Sequence, residues 1–393
     1  MRVIQFNDSF PPVMDGVANV TRNYAYWIKK KYGASYVVTP EYPGYVDDEI
    51  FPVLRYPSIP MVFRKPYRMG LGAHNPKLWK KLNNLDVDIV HAQSPFSSGN
   101  IALQYARQKN VPLVATFHSK FYDDFKEVTR SDVISWLITH LIVDFFNYAD
   151  AVWAVNESTR KTLSSYGYKG PIDVVPNGAD FSAEEDCSGL AEDFGKKYRV
   201  DAGERVFLFV GQIIRQKNLA TTIRALKLLK EKGVDFTMFF IGEGKAREFF
   251  QDMVRDLKLK DRVRFTGKIL DREELKGAFA RADLFIFPSV YDNAPVVTRE
   301  AAAVATPSVI VKESNASEGV EHGRNGYLCD NDPEDLAAVI REAVSDPGAL
   351  RETGREAQKT LYRSWENIVD EDVIPRYREI IERCKGNKSC SVK

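Results

Sequence analysis

The sequence predicts an α/β protein built of two doubly wound parallel-sheet domains. Short apolar runs of strand length alternate with segments of helical periodicity from Val3 to Val311, the rhythm that builds parallel sheets. A turn-rich stretch, Pro176-Asn-Gly-Ala-Asp180, followed by polar and acidic residues to Asp193, breaks that rhythm once. The 393 residues suffice for two domains of ordinary size, placed at 1–178 and 179–363.

Taken in order, Val3–Phe6 is the first expected strand. A loop over Asp8–Asp15 leads to Gly16, and from Val17 the residues Val20, Tyr24, Trp27 and Ile28 recur at helical spacing. Gly16 thus stands at a strand–loop–helix turn, where a missing Cβ lets a ligand approach the backbone or simply makes the turn. Tyr36–Thr39, Val87–Ala92, Leu113–Phe117, Ala151–Val155 and Ile172–Val175 read as strands. Helices are expected over Gly99–Lys109, Ser131–Tyr148 and Ser158–Tyr166. His118 follows directly on a strand end, the side on which such sheets collect ligands. Asp86-Val-Asp88 has the spacing of a metal-binding acid pair, but it precedes a strand instead of following one and is assigned no metal role. Residues 50–85 contain no Asp or Glu. They carry Arg55, Arg64, Lys65, Arg68, Lys77, Lys80 and Lys81 among aromatic and aliphatic residues. Such a segment is either a solvated basic face or an interfacial patch for anionic lipid headgroups.

In the second half, Val206–Val210 runs as a strand into Gly211-Gln-Ile-Ile-Arg-Gln-Lys217-Asn218, with a helix over Leu219–Lys232. Arg215 and Lys217 therefore lie in a strand-to-helix loop. Phe236–Ile241 ends in Gly242-Glu-Gly244, by itself a weak sign of a nucleotide. Val263–Phe265 is a strand followed by Gly267-Lys268-Ile269, and Asp271–Arg281 is a helix. Ala282–Phe287 and Ser308–Val311 flank a helix over Pro295–Val304, so those two strands should be parallel. The free N–H groups at that helix start favour an anion. Asp292 before it and Glu300 within it are separated by close to two helical turns, so both are expected to face one cleft. Paired carboxylates suit vicinal hydroxyls, although a lone pair at this spacing also fits a capping Asp and a surface Glu. The glycine-rich turn Gly319–Gly326 is assigned structure only, and after Pro333 the chain reads as helical.

The formal net charge of +1 gives no case for nucleic acid. The four Cys show neither C-x-x-C spacing nor neighbouring His, so neither zinc nor a disulfide framework is expected. The chain starts in a strand without signal-peptide architecture, and no apolar run reaches membrane-spanning length. A cytoplasmic protein is the expectation, peripheral on the inner face of the cell membrane if the basic segment binds lipid.

Several motifs occur in order along the chain. They are Phe10-Pro-Pro-x3-Gly16-Val17, Thr116-Phe-His118, Val175-Pro-Asn-Gly-x-Asp180 and Phe209-Val-Gly-x3-Arg215-x-Lys217-Asn218. Pro288-Ser289, Asp292-x7-Glu300 and Ala301-x3-Ala305-Thr-Pro307 complete the set. Together they resemble the retaining glycosyltransferases of the GT-B fold in family 4, also described as glycosyl transferases group 1, and most of all the members that glycosylate membrane lipids. The chain departs from the family pattern at Asp292, where Glu is usual, at Asn293-Ala-Pro295, where Gly-Phe-Gly is commoner, and at Ala305, where Gly is usual. These departures bear on sugar preference.

The resemblance implies two Rossmann-like domains facing each other across a cleft, with C-terminal helices over 364–393 crossing back to the first domain. It implies retaining transfer of a hexose from a nucleotide diphosphate sugar to an acceptor hydroxyl. A UDP-sugar such as UDP-glucose is favoured over GDP-mannose, and a diacylglycerol-type or other membrane lipid, or a glycan, is the acceptor. Arg215 and Lys217 would hold the diphosphate and Glu300 the ribose. Asp292 with the backbone of Asn293, Ala294, Pro295, Val296 and Val297 would hold the sugar. His118 would face that sugar, Gly16 would near the phosphates, Gly242 would join the donor-binding set, and backbone at Lys268 and Ile269 would reach the base. The catalytic group would be His118, Arg215, Lys217 and Asp292, with no metal or other cofactor, because cations replace it. Arg64, Lys65 and Arg68 would meet an anionic membrane. Rival readings are an epimerase or hydrolase of nucleotide sugars, and a non-catalytic nucleotide-sugar binding protein.

Overall fold

The structure, a computed structural model, describes residues 1–61 and 65–386, without the side chains of residues 123, 124, 127 and 128. The chain divides into two compact units, Met1–Asn177 joined by the chain from Trp365 onward, and Gly178–Ser364.

The first unit is organised on β1 (Arg2–Phe6), β2 (Ala34–Pro40), β3 (Val53–Tyr56), β4 (Ser58–Pro60), β5 (Arg68–Gly70), β6 (Ile89–Ala92), β7 (Leu113–Phe117), β8 (Ala151–Ala154) and β9 (Asp173–Val174). Seven of these form one parallel sheet in the order β3-β2-β1-β6-β7-β8-β9, while β4 and β5 pair antiparallel as a separate hairpin. β6 and β7 are buried along their whole length, which is why they read as mostly apolar runs, each broken by one polar residue, His91 and Thr116. The crossover helices Gly16–Lys31 and Ser97–Lys109 bury Val20, Tyr24 and Ile28, and Ile101 and Tyr105. The C-terminal helices belong to this unit. Lys31 Nζ meets Glu366 at 2.9 Å, and Tyr32 donates to Asp370 at 2.8 Å, while Trp365, Val373 and Tyr377 are buried.

Two features of this unit differ from expectation. The acid-free segment contributes a sheet strand, β3, and a hairpin, where no strand was expected. The alternating burial of β3 was masked by the flanking Pro52 and Pro57 and by Arg55, whose guanidinium turns back to Asp47 at 2.7 Å. A further helix, Phe121–Thr129, precedes Asp132–Asn147.

The second unit comprises β10 (Val206–Val210), β11 (Thr237–Ile241), β12 (Val263–Gly267), β13 (Leu284–Phe287), β14 (Ser308–Val311) and β15 (Tyr327–Cys329). They form one all-parallel sheet in the order β12-β11-β10-β13-β14-β15. Its core is phenylalanine-rich, with Phe209 and Phe287 stacked across adjacent strands at 6.3 Å and Phe240 on Phe265 at 5.0 Å. Burial of such rings is worth roughly 2–3 kcal/mol each. The acidic stretch read as linker contains a helix, Ser188–Tyr198, whose Phe194 packs edge-on against Phe239 at 5.3 Å. The strand order reverses once in each sheet, between β1 and β6 and between β10 and β13.

Candidate functional site

In the second unit the chain leaves β10 toward β11 and leaves β13 toward β14, so the loops after β10 and β13 diverge and open a crevice at their carboxyl ends. The loop after β10 makes one 3₁₀ turn, Arg215–Lys217, and ends at Asn218 in the left-handed conformation with φ 58°. Asn218 Nδ2 donates to the carbonyl of Pro288 at 3.1 Å and to Asn331 at 2.6 Å, pinning one loop to the other. In the loop after β13, buried Ser289 accepts through Oγ from the backbone of Tyr291 at 3.3 Å and of Asp292 at 3.4 Å, which forms the turn that presents Asp292. Asn315 Nδ2 donates to Asn293 Oδ1 at 2.9 Å. Helix Val296–Ala303 then begins at Pro295, which supplies no side-chain cap. Its first N–H groups are therefore available to a ligand.

The two predicted donor groups meet directly. The Lys217 ammonium is ion-paired with Asp292 Oδ1, and both side chains are mostly buried. The sequence reading gave Lys217 to phosphate and Asp292 to sugar; the structure couples them. The other Asp292 oxygen, Oδ2, is buried and has no hydrogen-bond partner among the described residues. A buried acceptor left unmade is costly and points to a donor that arrives from outside the chain. Arg215 is exposed, its guanidinium lying 4.0 Å over the Phe249 ring.

Glu300 is held by a different cation from Asp292. It is 3% exposed and accepts at 2.6 Å from Arg272, which also approaches Asp180 at 3.3 Å. Burial pushes the Glu300 carboxyl up, and the Arg272 guanidinium opposes the shift. Arg272 escaped the sequence reading. Its signal was positional: a cation in the first turn of helix Arg272–Arg281 faces the positive end of the helix dipole, so something other than the helix must hold it there.

The glycines separate cleanly. Gly242 has φ +144°, and a Cβ there would come within 1.9 Å of the Gly211 carbonyl, so the packing of strand ends requires it. A Cβ on Gly16 would meet nothing within 4 Å, so the fold itself does not require glycine there. Lys268 is exposed, while the Ile269 and Val297 side chains pack on the core.

In the first unit His118 lies just beyond β7, buried, with Nε2 donating to Gln93 at 2.8 Å. Burial lowers its pKa to about 3, so the ring is neutral at ordinary pH. Gln93 was not singled out from the sequence. Asp86 and Asp88, set aside as metal ligands, both pair with Arg2. Of the basic trio, Lys65 is exposed, Arg68 is tied to Ser58 at 2.7 and 2.9 Å, and Arg64 lies outside the described residues.

Residues 191–360 match the family described as Glycosyl transferases group 1, and residues 14–183 that described as Glycosyltransferase Family 4. An alpha-monoglucosyldiacylglycerol synthase from Streptococcus pneumoniae is 24% identical over 88% of this chain and 78% of its own length. The structure of Anabaena HepE in complex with UDP and glucose superposes with a TM-score of 0.74 at 19% identity, covering 96% of this chain and 99% of that one. Sucrose-phosphate synthase from Thermosynechococcus elongatus gives a TM-score of 0.78 at 18% identity, covering 98% and 100%.

Replacing Arg272 by Ala should strand Glu300. Losing one partner of a fully buried pair costs about 3–5 kcal/mol; because the Arg272 side chain is 45% exposed, about 2 kcal/mol is expected. A carboxyl whose folded pKa is raised holds a proton that the unfolded chain has released, so stability falls as pH rises through the window above the ordinary carboxylate value. Removing Arg272 widens that window upward. Denaturant titrations of R272A from acid to neutral pH should therefore show a loss that grows with pH; a pH-independent loss would assign the arginine a packing role only.

Proposed function

The chain belongs to the GT-B glycosyltransferases of family 4, and we propose that it transfers a hexose with retention from a UDP-sugar, UDP-glucose foremost, to a membrane lipid such as a diacylglycerol. The observation that carries the donor reading is the orphaned Asp292 Oδ2 beside the Lys217 ammonium and an uncapped helix start. A diphosphate entering this crevice draws Lys217 from Asp292. The carboxylate is then released to accept from sugar hydroxyls, while Glu300, held by Arg272, takes the ribose. Arg215 and Lys217 stabilise the charge that grows on the departing diphosphate, an effect of about 3 kcal/mol per donor.

Retention is assigned to a front-face course. The acceptor oxygen bonds to the anomeric carbon as the bond to the diphosphate breaks, and the acceptor proton passes to the departing phosphate oxygen. His118, neutral, contacts the donor sugar as a hydrogen-bonding group. The cations serve the leaving group without a metal.

The lipid acceptor is favoured by two apolar surfaces of the first unit. The hairpin exposes Ile59, Met61 and Met69 at 40–50% beside exposed Lys65, and Lys77, Lys80 and Lys81 are exposed on helix Pro76–Asn83. Helix Asp132–Asn147 exposes Val133 at 76% and Leu141 at 63%, with Trp136 on the same face. Among the described residues no helix is long and apolar enough to cross a membrane. Contact with lipid would then be peripheral.

Turnover of UDP-glucose with diacylglycerol in detergent micelles should yield an α-linked product by proton NMR, unaffected by EDTA. Lys217→Ala and Arg215→Ala should each lower kcat by about 100-fold with the fold intact. A β-linked product, rescue by Mn²⁺ or Mg²⁺, or near wild-type turnover in both variants would refute this assignment.

Co-sedimentation with phosphatidylglycerol vesicles should be strong at low salt and fade as salt rises. Changing Lys65, Lys77, Lys80 and Lys81 to Ser should abolish it, since each cation near an anionic surface is worth roughly 1 kcal/mol. Equal binding by wild type and variant would reduce this face to a solvated one.

A further inference from the structure

A buried chain of polar side chains lies at the carboxyl edge of the first unit's sheet. It links Gln5 of β1, His91 of β6, Gln93 just beyond β6, Thr116 of β7, His118, and Tyr377 of the C-terminal helix, none more than 9% exposed. Gln93 Oε1 accepts from His118 Nε2 at 2.8 Å. The Gln93 amide nitrogen must then donate, and it meets Gln5 Oε1 at 2.9 Å and His91 Nδ1 at 3.3 Å. His91 Nδ1, thereby an acceptor, takes the Tyr377 hydroxyl at 2.5 Å. His91 Nε2–H donates to Thr116 Oγ1 at 2.7 Å. Tyr377 in turn accepts from Gln5 Nε2 at 3.5 Å. With these assignments no donor faces a donor and no acceptor faces an acceptor.

Packing fixes the frame around the chain. Tyr377 stacks on Trp153 at 5.3 Å and 17°, and His91 stands edge-on to Trp153 at 5.0 Å and 80°. Burial keeps both imidazoles neutral. A neutral imidazole carries one N–H, and the chain places it on Nε2 of His118, leaving Nδ1 the lone-pair nitrogen. The ring therefore has a set polarity as well as a set orientation. Tyr377 comes from a helix more than two hundred residues further along the chain, so the C-terminal segment takes part in presenting His118.

We propose that Gln93 and Tyr377 are positioning residues that fix the tautomer and ring orientation of His118 for contact with the donor sugar. The inference rests on the reading of His118 given under the proposed function. Second partners of an imidazole commonly set its tautomer, and misorientation of a reacting group by about 1 Å can cost roughly 100-fold in rate.

The test uses the full chain with ¹⁵N-labelled histidine and four proteins: wild type, Gln93→Met, Tyr377→Phe and His118→Ala. The His118 resonances are identified by their loss in the last. Wild type should show His118 as the single Nε2–H tautomer. Gln93→Met should show a tautomer mixture and a kcat lowered by about 10–100-fold, with UDP affinity unchanged. Tyr377→Phe, which keeps the ring and its stacking, should shift the same signals with a smaller loss and serves if Gln93→Met does not fold. An unaltered tautomer and unaltered kcat in the folded variants, with His118→Ala inactive, would overturn the positioning role alone. Wild-type turnover by His118→Ala would overturn the reading of His118 itself and this inference with it.

Discussion

Adjacent parallel strands whose crossovers turn to opposite sides cannot keep their following loops together, and the candidate donor site depends on that constraint. In the second unit the divergence falls between β10 and β13. Within this unit Arg215, Lys217 and Asp292 stand on the loops that follow those two strands. The strands β10 and β13 beneath them are packed with phenylalanine and buried along their whole length, so the loops are mounted on a rigid base. Asn218 closes the arrangement by bonding from one loop to the other, and its left-handed backbone is the turn that starts the next helix.

Charge is kept at this edge at a cost. Burying an ion pair removes two ions from water, and well-packed apolar residues would often stabilise a fold as much. The second unit nevertheless holds two ion pairs whose acids are mostly buried and lie on one loop–helix element, Asp292 with Lys217 and Glu300 with Arg272. Each pair has an acid that suits hydroxyls and a cation that either suits phosphate or steadies the acid. In the Lys217–Asp292 pair one carboxylate oxygen remains unmatched. That combination is poorly explained by stability and well explained by a ligand that completes it.

Much of the fold was legible because its strands are buried on both faces. Val206–Val210, Leu113–Phe117 and Ser308–Val311 were placed residue for residue, since a short, predominantly apolar run bounded by Gly, Pro or His has few alternatives. Where the signal was mixed the reading failed. β3 sits between prolines with an arginine in its middle, and helix Ser188–Tyr198 opens in acidic sequence that resembles a linker. The candidate site residues were named as types and not as partners. Lys217 and Asp292 were named for separate tasks, yet they touch across 75 residues of sequence. Arg272 and Gln93 were missed because their meaning lies in what they hold, Glu300 and His118, and pairings between distant segments leave no local pattern in a single sequence.

The division of labour between the two acids is the centre of this account, and calorimetry with UDP and with UDP-glucose measures it directly. Glu300→Gln should weaken both ligands, by roughly the 1.5–3 kcal/mol of a charge-assisted hydrogen bond. Asp292→Asn should weaken UDP-glucose while leaving UDP unchanged or tighter, because Lys217 is released from its partner. Equal losses for both ligands in both variants, or no loss of UDP-glucose affinity in Asp292→Asn, would contradict it.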